Sequence, residues 1–313
     1  MSTPTGKTFQ PQAVTARSRS SSIALWQKLQ SFFGPVMFYL LVGLLVFAIL
    51  APFAWMVISS ISPPSELATV PPNWIPQNPT LDRYRALVFG PQPGQNLPIA
   101  ADKFINALVS SLIISASTTL VCIFAGTAAA YAFVRLPVPG RQHFLFGMLA
   151  AQMLPVIVII IPLYLVMQTF KLMDTWHGMI LLYSGFMLPT VIWIMHSYFQ
   201  TLPEELEEAA MIDGCSRLGA LLRIVIPLSG PGLVAVSAFA FLYTWNEFFM
   251  ALIFTASRAK TITVIVTEFS TQSGIDYGLM MTGGVIGSLP PLILALLLQR
   301  YIVAGLTAGS IKG

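Results

Sequence analysis

Acidic residues are the main candidates for chemistry in this chain, and five of the twelve lie in one short segment, residues 201–227. They are Glu204, Glu205, Glu207, Glu208 and Asp213. One more acid, Glu247, lies in an apolar stretch, where an ionisable group is costly and usually faces a bundle interior or a wet cavity. These residues predict ionic recognition by the acidic segment and hydrogen bonding by Glu247.

Catalytic and metal-binding patterns are missing from the sequence. No residue pairs with Glu247 at a spacing that would form a catalytic constellation. The three histidines, His143, His177 and His196, are scattered and fit no metal-ligand spacing. The Gly-Lys-Thr run at residues 6–8 lacks the upstream glycine of a phosphate-binding loop. We therefore predict that the chain is not an enzyme, cannot hydrolyse ATP and binds no cofactor or metal of its own.

The composition identifies the solvent of this chain as a lipid bilayer. Charged residues make up 9% of the 313 residues and hydrophobic residues 56%. Ordinary globular chains contain about 25% charged residues, so a soluble protein of this length could not cover its surface. Cys122 in an apolar run and Cys215 in a charged segment are expected to be free thiols. The net charge of +4 is modest, and no nucleic-acid partner is expected.

Six apolar stretches are long enough to cross the hydrocarbon core as helices. They are residues 32–61, 105–134, 144–170, 177–199, 228–254 and 279–303. The alternation expected of a membrane β-barrel is absent, so helices are the only plausible spanning elements. We predict an all-α membrane protein with one domain at 32–304. Prolines 155, 162 and 189 are expected to kink the third and fourth spans.

Lysine and arginine residues predict the orientation of these spans. With both termini in the cytoplasm, ten of the sixteen lie on the cytoplasmic side and six outside. The Ser- and Thr-rich residues 1–31 are expected to be a disordered cytoplasmic tail, and residues 305–313 a second one. A cleaved signal peptide is the competing interpretation of the N-terminus, but the apolar stretch is longer than a signal core and no small-residue cleavage site follows it.

The outer loop, residues 62–104, is rich in proline and cannot be a regular helix throughout. A short amphipathic helix is expected at 81–88. The loop is either a passive linker or a small structured platform that Trp74, Tyr84 and Leu87 anchor.

The acidic segment, residues 201–227, is predicted to be a helix–turn–helix on the cytoplasmic surface. Thr201 and Glu204 resemble a capping box, and the acids gather at a helix N-terminus, where the macrodipole favours them. Gly214 is a natural helix stop. A second helix is expected to start near Ser216, with one apolar stripe. Its members are Leu218, Leu221, Leu222 and Val225.

The spacing inside this segment resembles a known signature. Glu208-Ala209-Ala210, then Gly214 after three residues, then Ile224 to Pro227 after nine more, is similar to the E-A-A-x-x-x-G-x(9)-I-x-L-P pattern of binding-protein-dependent ABC importer permeases. Ile226 departs from the usual leucine. The outer-loop run from Pro72, Trp245-Asn246-Glu247-Phe248 and the C-terminus from Gln299 resemble the maltose-type carbohydrate branch.

This resemblance implies a type-I importer architecture with a cytoplasmic coupling helix, in a bacterial inner membrane. It implies a sugar or polyol substrate, and ATP and Mg on a partner subunit. The implied partners are a second permease in a heterodimer, two ATP-binding subunits, an extracytoplasmic solute-binding protein and membrane lipid. The implied ATPase-coupling residues are Glu204, Glu205, Glu208, Ala209, Ala210, Asp213, Gly214, Ile224 and Pro227. Candidates for the translocation path are Asn246, Glu247, Trp245 and Gln152.

Two questions stay open in this interpretation, the role of Glu247 and the class of transporter. Glu247 either hydrogen-bonds sugar hydroxyls in the path or ties two spans together. An ion-coupled secondary transporter is the other class of function, although such proteins often show internal repeats and several ionisable groups in the membrane. The sequence has no repeat between its halves and one acid in its spans.

Overall fold

The computed structural model of the protein describes residues 17–67, 69–70, 73–90, 97–271 and 274–308, which form helices apart from one short hairpin. The first half contains α1 (Arg17–Ile61), α2 (Pro64–Leu67), α3 (Asp82–Phe89), α4 (Phe104–Arg135), α5 (Arg141–Gln152), α6 (Val156–Thr169) and α7 (Trp176–Phe199). The second contains α8 (Glu205–Ile212), α9 (Arg217–Ala220), a π-helix (Leu221–Val225), α10 (Ile226–Leu228), α11 (Gly230–Asn246), α12 (Phe249–Phe254), α13 (Ile262–Thr267), β1 (Ser270–Thr271), β2 (Gly274–Ile275) and α14 (Tyr277–Ala308). The two strands pair antiparallel.

Four helices among the described residues are long and apolar enough to cross a membrane. They are Gly34–Ile61, Phe104–Arg135, Trp176–Phe199 and Tyr277–Arg300. Two bent helix pairs would raise the number to six if each pair is one span. These are Arg141–Gln152 with Val156–Thr169, bent by 98°, and Arg217–Leu228 with Gly230–Asn246, bent by 78°. The all-helical class is confirmed, whereas six spans stay a prediction.

The ends of the chain differ from the predicted tails. Helix α1 begins at Arg17, so residues 17–31 are helical, and residues 1–16 lie outside the described part. Helix α14 continues to Ala308, and residues 309–313 also lie outside the described part.

The chain divides into a unit of residues 1–55 and a unit of residues 56–313. Within the first unit, α1 exposes large apolar side chains such as Phe47, a surface suited to lipid contact.

Small side chains let α4 and α7 pack closely along their length. The buried face of α4 repeats every three or four residues, the spacing of one helix face. It includes Ala107, Ser111, Ile114, Thr118, Cys122, Gly126 and Ala130. A Cβ added at Gly126 would lie 2.6 Å from Val191 Cγ1 on α7, so only glycine fits there without a shift. Both cysteines are free thiols, as predicted.

The third predicted span is broken rather than kinked. Pro155 lies between α5 and α6 in an extended conformation, with a ψ of 129°. Its ring excludes the helical hydrogen bond to Ala151, and it disfavours helical geometry at Leu154. The chain therefore turns sharply at this point. By contrast, α6 and α7 continue through Pro162 and Pro189.

Residues of the predicted outer loop pack within the second unit, which supports a structured platform over a passive linker. Helix α3 forms where it was expected, one residue later. Leu87 is buried, and the Tyr84 hydroxyl lies 2.6 Å from Ser60 Oγ. Arg83 is also buried and donates to the carbonyl of Ser62 at 2.6 Å. Trp74, the third residue of the expected platform, is 56% exposed, whereas Leu87 is buried.

Asp174 connects the turn before α7 to the loop after α12 through hydrogen bonds. Its backbone N–H donates to the Phe254 carbonyl at 2.9 Å. Its carboxylate accepts hydrogen bonds from the backbone amides of residues 256–259, at 2.9–3.2 Å. Burial alone would raise the pKa of Asp174, but these amide donors outweigh it and lower the pKa to about 2. The carboxylate therefore stabilises the loop while it is ionised.

Asp174→Asn should lower the thermal unfolding midpoint in detergent near neutral pH, because an amide cannot accept this many hydrogen bonds. The folded pKa lies below the unfolded value of about 3.9, so the wild-type advantage is present above about pH 4. It should shrink as the pH falls from there towards 2. The measurement is the midpoint of both proteins from pH 6 to pH 3. Asp102→Asn, at an exposed residue, is the control, and an Asp174→Asn deficit that does not change with pH would contradict the assignment.

Candidate functional site

Helix α8 presents an acidic and apolar face to the surroundings. Among the predicted coupling residues, Glu204, Glu205, Glu208, Ala209 and Asp213 are exposed. Leu206 and Ile212 are exposed beside them, and Ile212 is 86% accessible. A contiguous face of carboxylates and small or aliphatic groups is suited to a protein partner rather than to lipid.

Two details of α8 differ from the prediction. The Thr201 hydroxyl donates to the Tyr198 carbonyl at 2.7 Å, and no side chain caps the helix at Glu204. The predicted capping box is therefore wrong, because Thr201 completes the end of α7 instead. Ala210 is buried, so it packs inward rather than joining Ala209 on the exposed face.

Gly214 ends α8 as predicted. Its φ of +88° lies in the left-handed region, which glycine adopts without a Cβ clash. The next residue, Cys215, donates its N–H to the Ala210 carbonyl at 2.9 Å and closes the helix end. Ser216 then caps α9, since its Oγ accepts the Gly219 N–H at 3.1 Å. The chain thus reverses within three residues.

The predicted apolar stripe of the second helix is only partly buried in this chain. Leu221 and Val225 are buried, but Leu218 and Leu222 are 63% and 55% exposed. A π-helix at Leu221–Val225 widens the turn just before Pro227, where an α-helical carbonyl would clash with the proline ring. Ile224 is half-buried in this turn, and Pro227 lies inside α10. The helix ends at Leu228.

The acid that the sequence analysis left out of the coupling set, Glu207, is the buried one. It is 4% exposed and contacts Arg135 and Tyr131 at the end of α4. A helical projection would have indicated it, because Glu207 and Ala210 share the face opposite to Glu205 and Glu208. Its partners, however, lie more than 70 residues away in the chain.

A second candidate region surrounds the break between α11 and α12. Glu247 adopts an extended conformation there, with a ψ of 126°. Its carboxylate accepts the Tyr183 hydroxyl of α7 at 2.7 Å. It also accepts the backbone N–H groups of Met250 at 2.8 Å and Ala251 at 3.0 Å. Glu247 therefore caps α12 and joins it to α7.

Gln152 and the α11 break line two neighbouring cavities. The first, of about 290 Å³, lies beside Gln152, Thr190 and Tyr243. The second, of about 690 Å³, lies beside Tyr243, Asn246 and Glu247. Tyr243 and Phe239 line both cavities, so the two are adjacent, and together they are called the groove below. Gln152 Nε2 donates to Thr190 Oγ1 at 2.7 Å, which holds the end of α5 against α7.

Three of the four predicted path residues therefore meet in this groove, but Trp245 does not. Its side chain is buried, and its Nε1 donates to the Gly287 carbonyl of α14 at 3.1 Å. Phe239 and Tyr243 were not among the predicted path residues, although they share an exposed helix face with Asn246 at i, i+4 and i+7. No group of three or more His, Cys, Asp or Glu side chains in the described ranges is placed to hold a metal.

Long apolar helices, a groove at a break between helices and an exposed acidic helix are consistent with a membrane transport subunit. The chain belongs to the family described as binding-protein-dependent transport system inner membrane component, which matches residues 122–308. The family prediction is confirmed, and the chain is the permease subunit of an importer of this kind.

Curated relatives resemble almost the whole chain. The sulfoquinovosyl glycerol transport system permease protein of Agrobacterium fabrum is 32% identical, over 94% of this chain and 100% of the relative. The trehalose permease protein of Mycobacterium tuberculosis is 34% identical, over 84% and 93%. The trehalose/maltose permease protein of Thermococcus litoralis is 34% identical, over 88% and 96%.

Solved structures share the fold. A chain of a bacterial ABC transporter involved in alginate import superposes with a TM-score of 0.71 at 20% identity, over 87% of this chain and 97% of that one. A chain of the MetNI methionine ABC transporter gives a TM-score of 0.51 at 13% identity, over 64% and 95%. The helical architecture is thus that of ABC importers.

Glu247→Ala should lower the yield and the thermal midpoint of the folded protein. It leaves three donors unsatisfied, each at a cost of about 1–3 kcal/mol where buried. Glu247→Gln keeps one acceptor oxygen and should lie between wild type and Glu247→Ala. Asn246→Ala, which loses one hydrogen bond within its own helix, should keep the wild-type yield. Normal yield of Glu247→Ala with loss of uptake for one sugar only would move Glu247 from a structural role into the substrate site.

Proposed function

We propose that the chain forms, with a second permease, the translocation path of an ATP-driven importer for sugars or related polyols. The single observation that carries the proposal is the exposed acidic helix α8, at the signature spacing, in a chain of this permease family. An importer subunit without a phosphate-binding loop needs an external motor. Both termini lie in the cytoplasm in this proposal, in line with the distribution of Lys and Arg.

A carbohydrate substrate is supported by two lines of evidence. The relatives named above are transport proteins for trehalose, trehalose and maltose, and sulfoquinovosyl glycerol. The groove beside α11 offers the exposed rings of Phe239 and Tyr243 together with the amides of Gln152 and Asn246. Aromatic faces can pack against sugar rings, and a few amides can orient hydroxyl groups. The second permease would close the open side of this groove.

The motor is proposed to be a pair of ATP-binding subunits, which hold ATP and Mg, and an extracytoplasmic binding protein delivers the solute. The exposed face of α8 is the proposed contact with one of these ATPase subunits. Its carboxylates would pair with basic groups of the partner, while Ala209 allows close approach. Ile224 lies in the π-helix and Pro227 in α10, the helical segments that follow α8 and α9. A docked short helix can transmit a rigid-body motion to the spans.

The alternative function, an ion-coupled secondary transporter, differs from an ABC importer in its energy source. Such a transporter accumulates its solute without any ATPase subunit. The importer proposed here should transport nothing when the ATPase subunits are left out of the reconstituted system, even if an ion gradient is applied.

Glu208→Lys and Gly214→Pro should each abolish most solute uptake while the protein still inserts. Charge reversal at Glu208 repels the complementary surface of the motor. Proline at 214 cannot adopt the left-handed conformation and loses the N–H that donates to the Met211 carbonyl. The measurements are uptake of labelled trehalose and maltose, and co-purification of the ATPase subunit.

Asp82→Lys is the matched control for this experiment, because it reverses an exposed acid on α3 instead. It should retain uptake and the ATPase subunit. Wild-type uptake by both the Glu208→Lys and the Gly214→Pro variants would refute the coupling assignment.

A further inference from the structure

Glu207 stands out because it is a buried carboxylate on a surface helix. Its side chain is 6% exposed, whereas Glu205 and Glu208 on the same helix are exposed. Burial of a charge is unfavourable unless the charge is paired and hydrogen-bonded. The surroundings of Glu207 must therefore supply specific partners.

Both carboxylate oxygens of Glu207 are bound by the last turn of α4. Arg135 Nε donates to Oε1 at 2.6 Å, and the Tyr131 hydroxyl donates to Oε2 at 2.9 Å. Tyr131 and Arg135 are four residues apart, so they lie on one face of α4. The Arg135 side chain is 9% exposed, so water has little access to the ion pair.

Arg135 also holds the chain on either side of α8. Its Nη2 donates to the Leu202 carbonyl, in the turn before α8, at 2.9 Å. Its own carbonyl accepts Arg217 Nη1, from the start of α9, at 3.4 Å. The end of α4 is thus hydrogen-bonded to the chain both before and after α8.

Helix α4 connects this end of the bundle with the opposite end. It has 32 residues, which corresponds to about 48 Å at 1.5 Å per residue. Its buried face packs along α7, and Ser111 near its N-terminus accepts the N–H of Ile262 at 2.7 Å. A displacement of Arg135 along the helix axis would therefore reach the loops beyond α12.

We propose that Glu207, Arg135 and Tyr131 form the mechanical connection that carries the movement of α8 into α4. Separating an apolar contact exposes apolar surface, which is unfavourable, but it leaves no charge unpaired. A buried ion pair also resists separation, because each charge would be left unpaired in a poorly solvated place. These three residues are thus positioning residues that let α8 both push and pull the span. The inference rests on the proposed coupling role of α8.

The test uses the complete complex, both permeases with the ATPase subunits and the binding protein, in proteoliposomes. Labelled trehalose and maltose are tried, and the sugar that the wild-type complex imports faster is the probe. The measured quantity is the amount of sugar imported per ATP hydrolysed by the same vesicles. This ratio does not depend on how much complex is recovered, so it separates coupling from folding.

The decisive variants are Glu207→Gln, Arg135→Gln and the double variant. Each single change leaves one buried charge unpaired and should reduce the yield of complex. The double variant removes both charges and should recover the yield, with the ATPase subunit still bound. Its sugar-to-ATP ratio should nevertheless fall about five-fold or more, the size of a typical coupling between sites. Tyr131→Phe should lower the ratio less.

Arg141→Gln is the matched control, because Arg141 is an exposed arginine beyond the end of α4 that donates to the Phe133 carbonyl. It should keep the wild-type ratio. Recovery of both yield and ratio in the double variant would overturn the proposal, since the pair would then only stabilise the fold. Loss of the ATPase subunit from the double variant would also overturn it, in favour of a docking role.

Failure of this inference is distinguishable from failure of the proposed function. If α8 is not the docking helix, Glu208→Lys leaves uptake and the bound ATPase subunit unchanged. If α8 docks but Glu207 transmits nothing, Glu208→Lys still releases the ATPase subunit while the double variant keeps a normal ratio.

Discussion

Every backbone N–H and C=O group within the hydrocarbon must find a partner inside the protein, and the rest of this structure depends on that requirement. Continuous helices meet it automatically, so a break needs other hydrogen-bond partners. At the break between α5 and α6 the backbone makes turn hydrogen bonds, in which the N–H groups of Met153 and Leu154 donate to the carbonyls of Ala150 and Ala151. At the break between α11 and α12, Glu247 accepts the freed N–H groups of α12. Glu247 also lines the groove.

At the end of the bundle that carries α8, charged side chains make the main polar contacts between helices. One helix divides its acids between two tasks. Glu208 and its exposed neighbours form the proposed contact with the ATPase subunit, while Glu207 is buried and paired with Arg135. The same four-residue run thus presents both exposed and buried carboxylates, because successive residues on a helix point in different directions. This division links an external contact to an internal helix without any intervening flexible segment.

The sequence predicted the parts of this account that depend on local rules. Gly214 and Ser216 were identifiable from turn and cap preferences, and the family from the signature spacing. Contacts between distant residues were beyond these rules, since neither Tyr131 nor Arg135 carries a local sign of pairing with Glu207. The break at Glu247 was hidden for another reason, because the apolar stretch continues through it without a proline or glycine. Trp245 was misplaced because its neighbours in the motif face the groove and it faces α14.

The proposed connection requires α8 and α4 to move as one rigid body, and a distance measurement tests this most directly. Spin labels would be placed at Ile212 on α8 and Phe124 on α4, both exposed. Pulsed electron paramagnetic resonance then records the distance between the labels in the complete complex, without nucleotide and with bound ATP. We expect the same distance distribution in both states, and a broadened one in the Glu207→Gln/Arg135→Gln complex. A wild-type distance that shifts when ATP binds would contradict it, because α8 would then move relative to α4.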